Sequence, residues 1–176
     1  LDAVVFPELV LMGYPIEDTI DRHPIIVEEN IKWLKQIAKI TTKTTAIVGF
    51  VEPRKYDNLT GKKYYNSVAV LQDGKIQGIV RKSLLPTYSE FNDYRYIEPS
   101  PVVGNQPAET LGEFDSDKVS DCCKTNLVNG KKYGISICED CWNNKEFFND
   151  TTLYSLDPIE ELAQEKPDVF INCSAS

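Results

Sequence analysis

The sequence predicts an α/β protein, and three observations carry that prediction. Residues 24–40 place Val27, Ile31, Leu34 and Ala38 at helical spacing, an apolar stripe suited to covering a sheet. Two pairs of short, β-rich runs, 65–71 with 75–80 and 125–128 with 132–137, are separated by Gln72-Asp73-Gly74 and by Asn129-Gly130, residues suited to tight hairpin turns. Further on, Asp157-Pro158 opens a helix to about residue 165, and Pro167 ends it before the apolar run 168–173. Strands and helices mixed in this way give a sheet with helices on an outer face. Hairpins alone leave open how sheets stack.

Taken in order, residues 1–6 read as a buried strand that Pro7 interrupts. Pro24 suits the first turn of the helix that follows, where its missing N–H is no loss. Residues 44–51 form a compact β-branched strand. The first hairpin leads into Lys82, and the second leads into Cys138. Between them, residues 98–121 are rich in Pro, Gly and acids, and are expected to make a long irregular excursion with an edge strand. The chain opens on a strand pattern without an initiator Met and stops just after another, so it is expected to be an internal fragment of a longer protein.

With 176 residues the chain is long enough to bury a core, and its net charge of −8 opposes binding to nucleic acid or an anionic membrane surface. The longest apolar stretch, 4–16, is broken by Pro7, Glu8, Gly13 and Pro15 and is too short to span a bilayer. Five cysteines are an odd number without the density of a disulfide scaffold, which fits a reducing cytoplasm. Cys138 and Cys141 form a C-x-x-C, but adjacent Cys122 and Cys123 are a poor second half for a tetrahedral zinc clamp, so no metal site is expected. His23, the only histidine, precedes a proline in an apparent loop, and its isolation argues against Ser-His or Cys-His catalysis.

Three chemically distinct groups each follow a strand-like run: Glu8 in Phe6-Pro7-Glu8-Leu9, Lys82 in Arg81-Lys82-Ser83-Leu84-Leu85-Pro86, and Cys138 in Gly134-Ile135-Ser136-Ile137-Cys138-Glu139-Asp140. One sheet is expected to gather all three at its rim. A base, a cation and a thiol are the groups needed to attack a carbon–nitrogen bond. Each also has an ordinary reading: Glu8 as a strand-end acid reaching solvent, Lys82 as a lysine whose stem snorkels across an apolar patch, and Cys138 as a small buried hydrophobe.

In order, flanks and spacing these motifs resemble the nitrilase superfamily, the carbon–nitrogen hydrolases with a Glu-Lys-Cys triad. Within it, Cys138-Glu139-Asp140-x-Trp142 and Gly13-Tyr14-Pro15-x-Glu17-Asp18 are most similar to the glutaminase domains of glutamine-dependent NAD synthetases. The resemblance implies a four-layer α-β-β-α sandwich, here lacking the first strand and helix and the C-terminal elements. It implies Glu8 as general base, Lys82 as oxyanion partner and Cys138 as nucleophile on glutamine. Asp93 stands where the family usually has a glutamate that positions the lysine, with Glu90 as a possible substitute. Tyr88 and Phe91 are implied to line the glutamine pocket, Glu139 to pair with the substrate ammonium, and Ser174 or Ser176 to meet its carboxylate end. No cofactor is implied in this domain; ATP, Mg and deamido-NAD belong to an expected downstream synthetase domain, and a homo-oligomer is implied. A stand-alone amidase or carbamoylase, or an inactive scaffold, are the alternatives.

Overall fold

Two tight turns set the register of both hairpins. Asp73 and Gly74 have φ of 53° and 74°, and Asn129 and Gly130 have 53° and 75°. Positive φ at both central positions matches the turn to the twist of the flanking strands. The turns therefore place Gln72 opposite Lys75 and Val128 opposite Lys131.

The computed structural model describes residues 1–54, 61–100, 125–148 and 151–175, with the backbone of 119–121. Its elements are β1 (Ala3–Val5), α1 (Thr19–Arg22), α2 (Pro24–Ile40), β2 (Thr45–Pro53), β3 (Tyr64–Gln72), β4 (Lys75–Arg81), α3 (Asp93–Tyr96), β5 (Val119–Asp121), β6 (Thr125–Val128), β7 (Lys131–Ile137), a 3-10 turn (Cys138–Cys141), α4 (Pro158–Gln164) and β8 (Val169–Cys173). The first five strands form one sheet in the order β1-β2-β3-β4-β5, and the last three form a second in the order β6-β7-β8. The outer pairs β1/β2, β4/β5 and β7/β8 are parallel, and the others antiparallel. Of the excursion expected at 98–121, the edge strand is β5, and residues 101–118 lie outside the described residues.

The alternation of side chains builds four layers. Ile47, Val68, Val70 and Val80 leave one face of the first sheet and meet Val128, Tyr133, Ile135, Ile137 and Cys173 of the second. On the opposite face, Ala46, Val48, Phe50, Ala69, Leu71 and Ile79 receive Ile31, Leu34 and Ala38 of α2. Leu34 is fully buried there, a contribution of about 1.5–3 kcal/mol for a side chain of its kind. On the far side, a Cβ at Gly134 of β7 would lie 3.1 Å from Leu162, so α4 rests closely on the second sheet. The order helix, sheet, sheet, helix is the predicted sandwich. No helix among the described residues is long and apolar enough to cross a membrane.

The expectation that a single sheet presents all three chemical groups is corrected. Glu8 and Lys82 follow strands of the five-stranded sheet, whereas Cys138 follows β7 of the three-stranded one. The reason is a long-range pairing: β7 bonds to β8, Ile137 opposite Cys173, and not to β4.

Candidate active site

The loop carrying Glu8 is threaded over a glycine. Phe6 N–H donates to Ile47 O at 2.9 Å, extending the parallel pairing of β1, and Leu9 turns back with φ of 51°. A Cβ at Gly49 would fall 2.4 Å from Leu9 N and 2.6 Å from Pro7 O, so no larger residue lets the loop lie this close. Glu8 is thereby held inside the protein, only 2% exposed, instead of reaching solvent.

Lys82 continues the β4 ladder by one residue, its N–H donating to Asn66 O at 2.9 Å. The preceding Arg81 is anchored on the other face of the sheet, donating from Nε to Glu52 Oε2 at 2.9 Å, and Ser67 donates to the same oxygen at 2.7 Å. The Lys82 side chain points into the protein and is 1% exposed. Its ammonium donates to Glu8 Oε1 at 2.8 Å and to Asp93 Oδ2 at 2.6 Å. Lys82 is thus a buried cation between two carboxylates and not a snorkelling surface lysine. Burial alone would lower its pKa, but Glu8 and Asp93 outweigh that effect and raise it, so the amine stays charged.

Two further side chains complete this cluster. Asn66 Nδ2 donates to Glu8 Oε1 at 2.8 Å, and the Tyr14 hydroxyl donates to Asp93 Oδ1 at 2.9 Å. Burial and the neighbouring Asp93 push the Tyr14 phenol pKa up, so it remains a donor. With Oε1 taken by Lys82 and Asn66, Glu8 Oε2 is buried and has no hydrogen-bond partner among the described residues. A buried, unpaired carboxylate oxygen is the feature that most needs a chemical explanation. Glu90, by contrast, is exposed and bonded to the Ser89 hydroxyl, so the structure puts Asp93 beside the lysine.

Cys138 opens the 3-10 turn with φ of 46°, a left-handed conformation rare for a residue with a side chain. This abrupt end to β7 leaves the thiol half-buried rather than in the core. Ser174 Oγ donates to its sulfur at 3.5 Å, and Asn172 Nδ2 donates to its carbonyl at 3.3 Å. Ser174 is therefore at the site, whereas Ser176 lies outside the described residues. Next in the turn, Glu139 is buried and accepts from Tyr88 on Oε2 at 2.7 Å and from Tyr154 on Oε1 at 2.9 Å. The Tyr88 phenol is pushed up to about 12, first by burial and then by Glu139 and Cys138, with Lys82 opposing. Phe91 packs between Tyr88 and Tyr14, with ring centroids 5.9 Å and 6.1 Å away.

The structure brings together Glu8, Lys82 and Asp93 by direct bonds, sets Ser174 against Cys138, and joins Tyr88 to Glu139 with Phe91 against the Tyr88 ring. Sequence reasoning did not single out Asn66, Asp140 and Tyr154, and gave Tyr14 no part. Tyr14 and Asp140 lie within the quoted motifs, whereas no motif marks Asn66 or Tyr154.

A family model described as "Carbon-nitrogen hydrolase" matches residues 1–148. The chain belongs to the carbon–nitrogen hydrolase family. Among curated relatives of this hydrolase, a glutamine-dependent NAD(+) synthetase of Synechocystis sp. is 30% identical over 99% of the chain and 28% of its own length. One from Thermotoga maritima is 34% identical over 82% of the chain and 21% of its own length. The hydrolase chain thus spans about a quarter of the length of these relatives. Among solved structures, the glutamine-dependent NAD+ synthetase of Acinetobacter baumannii in complex with ADP superposes with a TM-score of 0.67 at 26% identity, over 99% of this chain and 26% of that one. Saccharomyces cerevisiae Nit3, of the nitrilase superfamily, shares the fold with a TM-score of 0.60 at 19% identity, over 99% of this chain and 51% of that one.

Proposed function

We propose that the chain is the glutamine-hydrolysing part of a glutamine-dependent NAD synthetase, with Glu8, Lys82 and Cys138 as its catalytic groups. The observation that carries the reading is the unpaired oxygen Oε2 of Glu8, a free proton acceptor on a carboxylate whose other oxygen is fixed by Lys82 and Asn66. Glu8 Oε2 takes the Cys138 thiol proton, and the thiolate attacks the side-chain amide carbon of glutamine. Lys82, with the backbone N–H that follows Cys138, holds the oxyanion. Glu8 returns the proton to the departing nitrogen, which leaves as ammonia. It then takes a proton from water as that water opens the thioester, and glutamate departs as the thiol is restored.

Substrate binding follows from the second cluster. Glu139, with its carboxylate oriented by two phenols, meets the substrate ammonium, while Tyr88 and Phe91 flank the carbon chain and Ser174 meets the carboxylate end. The resemblance of the relatives supports a synthetase domain in the same longer chain, using ATP, Mg and deamido-NAD and fed with ammonia from this site.

Two measurements test the reading. In the full-length protein, a glutamine analogue carrying a diazoketone in place of the amide is expected to alkylate Cys138 alone among the cysteines, as read by peptide mass spectrometry, and to be slowed by glutamine. Labelling spread over several cysteines, or indifferent to glutamine, sinks the assignment. Asp93→Asn is expected to lower kcat for glutamine hydrolysis about tenfold or more with little change in KM, because a group that orients Lys82 acts in the transition state. Unchanged kcat would take Asp93 out of the site.

A further inference from the structure

Asp140 has no part in the chemistry proposed above, yet it is completely buried, and its carboxylate accepts from three main-chain N–H groups. Oδ1 accepts from Ser83 at 3.0 Å and from Leu84 at 2.8 Å, the two residues after Lys82. Oδ2 accepts from Ile137 at 3.0 Å, the residue before Cys138. One carboxylate therefore grips the end of β4 in the first sheet and the end of β7 in the second.

The core between the sheets is built from apolar side chains such as Val68, Val80, Ile135 and Ile137, and the Tyr88 hydroxyl, bonded to Glu139, is a second polar link between the segment after β4 and the turn after β7. Apolar contact is non-directional and holds two sheets together without fixing their relative slide to a fraction of an ångström. Hydrogen bonds to a rigid carboxylate do fix it. Burial pushes the Asp140 carboxyl up to about 6, held from rising further by the N–H donors and by the Lys82 charge. A buried carboxylate is a costly way to fill space, and a hydrophobic side chain fills it better. What the carboxylate alone supplies is two acceptor oxygens at a fixed spacing, aimed at two separate segments.

We propose that Asp140 is a positioning residue that sets the distance between Lys82 and Cys138 by clamping the main chain beside each of them across the seam. The proposal rests on the hydrolase reading for its effect on turnover, and on the hydrogen bonds alone for its effect on geometry.

The test uses the full-length protein. Asp140→Asn is nearly isosteric but replaces one acceptor with an NH2 donor, so one arm of the clamp opens. A misplacement of about 1 Å can lower turnover about a hundredfold, and a loss of that order in kcat is expected, with KM changed less than about threefold. Amide hydrogen exchange should quicken at residues 83–84 or at 137 and stay unchanged in α2. The pH midpoint for alkylation of Cys138 by iodoacetamide should move upward, because a greater separation between Lys82 and Cys138 weakens the support of the cation for the thiolate. Wild-type kcat, exchange and alkylation in Asp140→Asn would overturn the proposal, as would uniformly faster exchange with a kcat loss that disappears on cooling, the mark of a merely structural role. Should Asp140→Asn fail to fold, Asp140→Glu keeps the charge and lengthens the clamp by one methylene; the same fall in kcat is expected, and unchanged kcat overturns the proposal. If Cys138→Ala leaves glutamine hydrolysis intact, the hydrolase reading fails, while exchange and alkylation still decide the clamp.

Discussion

Replacing Cys138 with alanine is expected to lower glutamine hydrolysis by the full-length protein by more than about 10⁴-fold, because removing a nucleophile leaves only the background supplied by binding and the remaining groups. If the full-length protein carries the proposed synthetase domain, its synthesis of NAD from added ammonia should continue at its usual rate, since that reaction needs no thioester. The fold should survive. The left-handed backbone of Cys138 strains alanine no more than cysteine, and the thiol is only half-buried, so little packing is lost. Cys141→Ala is the matched control: it shares the turn but is exposed, its thiol donating to the Cys138 carbonyl at 3.1 Å. Loss of hydrolysis in Cys141→Ala with retention in Cys138→Ala would reverse the assignment.

Lys82→Met is expected to damage both activity and stability. Turnover should fall at least about a hundredfold, the usual loss for one oxyanion donor. The apolar stem is kept, and were Lys82 a snorkelling residue the fold would be untouched. Its ammonium instead lies between Glu8 and Asp93, so removing it leaves two buried carboxylates facing each other without a cation. Breaking such a pair costs about 3–5 kcal/mol, visible as a lower denaturation midpoint and as proton uptake by one of the acids. Adding Asp93→Asn to Lys82→Met removes one stranded charge and should restore much of the stability but none of the activity. A Lys82→Met protein as stable as the wild type would show that the carboxylates do not depend on the lysine.

The elements that local sequence could announce were announced. Helix 24–40 has its stripe and its first-turn proline, and both hairpins carry Asp-Gly or Asn-Gly, so their bounds lie close to those observed. The four-residue helices Thr19–Arg22 and Asp93–Tyr96 are too short to display a period. Which strands share a sheet was not legible either, because β7 finds its parallel partner only at Val169–Cys173, beyond a helix. The site divides in the same way. Glu8, Lys82 and Cys138 stand in long, recognisable motifs, whereas Asn66 and Tyr154 act through single bonds, to Glu8 and to Glu139, that no local pattern encodes. Asp140 lay in view beside Cys138, but its partners Ser83 and Leu84 are more than fifty positions away.

That the two halves of the site hang from different sheets has a consequence for how variants behave. A methyl group deleted at Val80 or Ile135, both fully buried between the sheets, is expected to let the layers settle partway toward each other and so to shift Cys138 relative to Glu8. Such positions lie in the core away from the candidate site's polar groups, yet on the proposed reading an activity screen of random variants should return them beside Glu8 and Cys138. Melting temperature separates the two groups: the packing variants melt early, and the chemical one, Cys138→Ala, does not.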